Sequence, residues 1–236
     1  MKNSDKQIGN TEPYCPYCLE QLAKMPSRKS RCPNCNNYYY IRTRPADNRK
    51  ILVTEAQAIQ VEELWAIKNG TYDQLMAERR AFTDEKSRLT KKYKTEPSEN
   101  DVKWSLLNKQ LMETAKERNW GLYRNTRFDM AEILRKEGKL ESALSTYLEI
   151  CYLDINGPRN LGGFRNNQIP SFSPDEAFLA PGIIKRALSI MKKLNISEAR
   201  TKAIFAEIAS LNHDNLKLPV SPDEAWINLR KDLFSK

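Results

Sequence analysis

Four of the chain's five cysteines fall in two C-P-x-C pairs, Cys15/Cys18 and Cys32/Cys35, with thirteen residues between the pairs. No other feature limits the fold as much. Two residues between cysteines let both thiolates of a tight turn face one ion, and the proline fixes that turn. Two such knuckles complete a tetrahedral shell of four sulfurs, which suits zinc best; iron would take the same ligands. Four thiolates leave no coordination position for water, so the site reads as structural and not catalytic. A redox dithiol needs only one pair and a βαβ setting that is missing here. One zinc ion would contribute on the order of 10 kcal/mol to folding a module too small to fold alone.

The stretch PYCPYCLEQLAKMPSRKSRCPNCNNYYYIRTRP resembles the zinc-ribbon families over about residues 13–43. That resemblance implies a β-hairpin ribbon built on Cys15, Cys18, Cys32 and Cys35. The glycine usual after each knuckle is replaced by Leu19 and Asn36. Asparagine tolerates the left-handed conformation needed there and leucine does so poorly, so the first knuckle is expected to be irregular.

After the second knuckle, the run from Tyr38 to Thr43 is aromatic and β-branched, which favours a strand. Alternation puts Tyr39 and Ile41 on one face and Tyr38, Tyr40 and Arg42 on the other. Residues 1–50 carry ten Lys/Arg and four Asp/Glu, whereas residues 51–120 carry twelve of each. Positive charge is therefore concentrated on the cysteine module. Arg28, Lys29, Arg31, Tyr38, Tyr40, Arg42 and Arg44 are candidates for nucleic-acid contact, through phosphates and base stacking. The same cations would also offset the formal charge of about −2 on a Zn(Cys)₄ centre, with the tyrosines capping a small core.

From Thr54 onward the periodicity is helical. Thr54 to Gln57 reads as a capping box, and Thr71 to Gln74 as a second one. A third helix is expected near 101–119, with Trp104, Leu107, Leu111 and Ala115 as its core stripe. Helices over 122–137 and 140–154 form a hairpin around Gly138. Ala131, Leu134, Gly138, Ala143 and Tyr147 make this hairpin resemble a tetratricopeptide (TPR) unit. The segment Ser173-Pro174-Asp175-Glu176-Ala177 recurs as Ser221-Pro222-Asp223-Glu224-Ala225, and each copy reads as a helix start with Ser as cap and Pro at the first position. Helices near 177–193, ending at Asn195, and 197–211 lie between them. The Gly/Pro-rich stretch 156–173 is a long loop. Arg159 and Arg165 give it capacity to bind phosphate or peptide, and a plain surface connection fits equally.

The expected architecture is mainly α: a flexible N-terminus at 1–12, a zinc ribbon at 13–45, a linker at 46–53 and a helical domain at 54–236. The layout is similar to ribbon-plus-hairpin proteins carried by bacteria and their phages. No secretory leader or membrane-spanning run is read, which points to a reducing cytoplasm. His213, the single histidine, reads as a surface or helix-capping residue, and Cys151 as a core thiol. With no catalytic motif, the sequence favours a non-enzymatic adaptor whose helical domain binds a protein partner, with one structural zinc and a basic ribbon surface. The alternative is nucleic-acid binding through the ribbon. The sequence assigns no oligomeric state.

Overall fold

The computed structural model of the chain describes residues 8–163 and 169–234. These hold eight α-helices and one three-stranded antiparallel sheet, the mainly helical class with a small N-terminal β element. The chain divides into two compact units, Met1–Asp84 and Glu85–Lys236.

The first unit contains β1 (Ser30–Arg31), β2 (Tyr38–Thr43), β3 (Lys50–Val53), α1 (Glu55–Lys68) and the start of α2 (Tyr72–Tyr93). Strand order is β1–β2–β3, with Arg31 opposite Tyr38 and Ile41 opposite Leu52. The alternation along β2 is the one read from its sequence. Tyr39 and Ile41 join Leu22 and Leu52 around the cysteines, while Tyr40 packs with Ile51, Val53, Ala58 and Val61.

Residues 46–53 are not a linker, since they carry the hairpin turn and β3. Ile51, Leu52 and Val53 are all buried, because this short strand is covered on both faces and so lacks the polar alternation of a half-exposed strand. Its turn is tied by Arg44, whose guanidinium donates to both carboxylate oxygens of Asp47 at 3.0 and 2.7 Å. That contact draws the Asp47 pKa down to about 2. Of the expected flexible segment 1–12, residues 1–7 lie outside the described residues. Asn10 exchanges backbone hydrogen bonds with Leu52 in both directions, at 2.9 and 2.8 Å, so the end of that segment is tied to the sheet.

Helix α1 opens on the capping box read at Thr54: its hydroxyl accepts from Gln57 N, and the Gln57 side chain accepts from Thr54 N. Thr71 does not repeat this. Its hydroxyl donates to Ala66 O, and the Gln74 amide is spent on Glu78 one turn along.

The second unit is built around α5 (Leu140–Ile155), in which twelve of sixteen residues are buried. A helix buried on nearly every side belongs in the centre, and α4 (Trp120–Lys136), α6 (Pro181–Leu194), α7 (Glu198–Leu216) and α8 (Pro222–Phe234) pack against it. The α4–α5 hairpin turns at Gly138, with Ala131, Ala143 and Tyr147 fully buried. Two acids inside α5 are neutralised from α4. Arg124 grips Asp154 with two bonds of 2.6 and 2.7 Å, and Arg127 grips Glu149.

Helix α3 (Glu99–Lys116) starts earlier than expected, on a capping box between Ser98 and Asp101. Its expected stripe is only half-buried, and Val102 and Thr114 are its buried residues. The two S-P-D-E-A copies diverge. Ser221 caps α8 through Glu224 N, but Ser173 precedes only a 3₁₀ turn over Pro174–Glu176, and α6 begins at Pro181. Pro181 explains the difference. A helix started at Pro174 would need its N–H and would clash with its ring, and the residue before a proline is pushed out of the helical region. His213 lies inside the last turn of α7 rather than beyond the helix.

Candidate metal centre

Each knuckle is a short turn closed by a backbone bond, Leu19 N to Cys15 O at 2.9 Å and Asn36 N to Cys32 O at 3.0 Å. Leu19 and Asn36 have φ of 60° and 59°. The first knuckle is therefore as regular as the second, contrary to expectation. The leucine accepts the left-handed conformation, at a cost of about 1–2 kcal/mol, with its side chain 70% exposed.

The two knuckles bring the Sγ atoms of Cys15, Cys18, Cys32 and Cys35 within 4.8 Å of one another. Cys15 lies 3.7 Å from Cys35, and Cys18 lies 3.7 Å from Cys32, sulfur to sulfur. A tetrahedron with metal–sulfur bonds of about 2.3 Å has edges of about 3.8 Å, so the spacing fits an ion held at the centre. It is far beyond the ~2.05 Å of a disulfide, and the cysteines are free thiols. This cluster can hold a metal ion.

Polar groups of the second knuckle favour thiolates at three of the four sulfurs. The side-chain amides of Asn34 and Asn37 donate to the sulfurs of Cys18 and Cys35 at 3.7 and 3.6 Å. Backbone N–H groups of Cys35 and Asn34 lower the Cys32 pKa to about 7, whereas burial pushes the Cys15 thiol up to about 12. The two asparagines were not singled out from sequence. Their place two residues after each second-knuckle cysteine is the signal that could have found them, since such amides orient and tune metal ligands.

Across the sheet from the sulfurs lies a row of cations and rings. Lys29 Nζ is 4.9 Å from the Tyr38 ring centroid and 4.6 Å from that of Tyr40. Arg31 lies over Tyr38 at 5.4 Å and Arg42 over Tyr40 at 5.5 Å. Arg28 is exposed in the preceding loop. Arg44 does not join the row, being 6% exposed and held by Asp47.

In the long loop, Arg159 is ion-paired with Glu176, and Arg165 lies outside the described residues. Cys151 is fully buried, which raises its pKa well above the usual thiol range. Among the described residues, no helix is long and apolar enough to cross a membrane. No family model, curated protein or solved structure compared with the chain matches it.

Proposed function

We propose that this chain is a non-enzymatic adaptor whose N-terminal unit closes around one structural zinc ion and whose helical unit holds a protein partner. The observation that carries this reading is the four-sulfur cluster, with two opposite edges of 3.7 Å and all four sulfurs within 4.8 Å of one another. All four positions of a tetrahedral ion are filled by protein, so the ion's role is to close the fold. Zinc is favoured because it has no geometric preference of its own and takes four thiolates readily. A reducing, cytoplasmic setting keeps the thiols available.

On the helical unit, a groove of ≈ 350 Å³ runs between α3 and α4. Leu106, Leu107 and Ile133 form its apolar floor, and Lys103, Lys136 and Asp129 flank it. An apolar floor with charges of both signs at the rim suits an amphipathic segment of another protein.

Elemental analysis of chain purified without added metal tests the reading. One equivalent of zinc is expected, with loss of sheet structure on chelation. Less than half an equivalent of any metal, together with four freely titrating thiols in the N-terminal unit, would overturn it.

A further inference from the structure

We propose that the outer face of the ribbon, formed by Lys29, Arg31, Tyr38, Tyr40 and Arg42, binds single-stranded nucleic acid. Three observations lead there. First, among the described residues no carboxylate lies within ion-pair distance of Lys29, Arg31 or Arg42, although Arg31 Nε donates to Asn36 O at 2.8 Å and Arg42 Nη1 to Ile41 O at 2.9 Å. By contrast, Arg44, Arg79, Arg88, Arg124, Arg127 and Arg159 all have one. The three charges lie over aromatic rings instead and are held in one row.

Second, the rings are accessible. Tyr38 is 50% exposed and Tyr40 half-buried. A base stacks on such a ring without regard to sequence, while neighbouring cations take the phosphates.

Third, the spacing selects an unpaired strand. Tyr38 and Tyr40 are two residues apart on β2, about 6.7 Å by strand geometry. Bases in a duplex are stacked at about 3.4 Å with both faces covered. Rings at twice that spacing match a strand whose bases are pulled apart.

The face continues into a cleft of ≈ 400 Å³ between β2 and α1, bounded by Tyr40, Arg42, Ile59 and Trp65. Its volume is in the range of small-ligand pockets. Trp65 is fixed there by donating its indole N–H to Thr43 O at 2.7 Å. Glu55 and Glu62 also line the cleft. Glu62 is paired with Arg79, but Glu55, which accepts from the Tyr40 hydroxyl at 3.1 Å, keeps a negative charge there. That charge favours a base in the cleft and leaves the phosphate track along Lys29, Arg31 and Arg42.

The inference takes from the zinc reading only the folded ribbon. The test uses the full chain with its metal content measured, fluorescein-labelled oligothymidylate and oligouridylate, and a duplex of equal length, read by anisotropy. Both single strands should bind more tightly than the duplex. With three phosphates neutralised, affinity should fall about 20-fold between about 50 and 200 mM salt, a logarithmic slope of about −2. Tyr38→Ala should weaken binding between about 5-fold and 160-fold, and Tyr38→Phe should bind like the parent. Arg42→Gln and Lys29→Gln should each reduce the slope by about 0.7.

Absence of salt-sensitive binding by zinc-loaded chain, equal or tighter binding of the duplex, or a Tyr38→Ala variant that binds like the parent would each overturn the proposal. A folded chain without metal that still binds the single strands as described supports this proposal and refutes the zinc reading alone.

Discussion

Replacing Arg124 by methionine removes one side of the ion pair that fastens α4 to the buried helix α5. In the native chain two charge-assisted bonds, 2.6 and 2.7 Å long, join Arg124 to Asp154, whose side chain is 5% exposed. The remaining contact to that carboxylate is the Ala180 N–H at 3.4 Å, too long to stand in for a guanidinium. Methionine keeps much of the arginine stem's volume, so the loss is electrostatic and not a cavity. Stranding a buried charge in this way costs about 3–5 kcal/mol, a large share of the 5–15 kcal/mol typical of a whole domain. At roughly 2–4 °C per kcal/mol for a unit of this size, the far-UV circular dichroism melt should fall by about 6–20 °C. Removing the stranded charge as well, in Arg124→Met/Asp154→Leu, should bring stability back to within about 1 kcal/mol of the parent or above it. A single variant that loses less than about 1 kcal/mol would show that the pair behaves as a surface contact. A double variant no better than the single would show that Asp154 was not the source of the loss.

Two further outcomes are expected. Gly157 has φ +62°, and a Cβ there would sit 1.9 Å from the backbone oxygen of Ser173, so Gly157→Ala should cost about 2–5 kcal/mol in urea denaturation. Gly138→Ala, at φ +76° but in open space, should cost only about 1–2 kcal/mol, and equal losses at the two sites would contradict the clash. Burial alone would raise the Glu132 carboxyl, but hydrogen bonds from Arg135, Tyr147 and Arg186 outweigh it and hold the pKa at about 2. A depressed acid stabilises the fold fully above its unfolded pKa of about 4.3, and that stabilisation is lost as pH falls toward 2. Glu132→Gln should therefore flatten the stability profile between those limits, and an unchanged profile measured by urea midpoint against pH would count against the assignment.

What the sequence displayed was local chemistry with one solution. The cysteine spacing needs only two turns to bring four sulfurs together, and the caps at Thr54 and Ser221 need only four residues each. The period of β2 told Tyr39 from Tyr40 because one face closes on the cysteines and the other turns to α1 and solvent. What it concealed depended on distant partners. Lys50–Val53 is a strand because Ile41 lies opposite Leu52, and its three consecutive buried residues, Ile51 to Val53, show no alternation. Ser173 has the same neighbours as Ser221, but Pro181 lies too far along to be counted in a capping motif. Arg44 and Arg42 look alike in the chain and differ only through Asp47, which folds one of them into a turn. Sequence alone placed both in the basic surface. In the helical unit, the residues of α3 were spaced for burial, yet Trp104, Leu107, Leu111 and Ala115 are only half-buried.

The two faces of β2 lie on one backbone, and a strand has a period of two. Sliding β2 by a single residue would exchange them, sending Tyr38 and Tyr40 in among the sulfurs and putting Tyr39 and Ile41 on display. Cys35 stands three residues before Tyr38, in the knuckle that leads directly into the strand. Gathering the four sulfurs therefore does more than hold the ribbon closed. It sets the phase of the strand, and so decides which of three consecutive tyrosines the molecule shows to its surroundings.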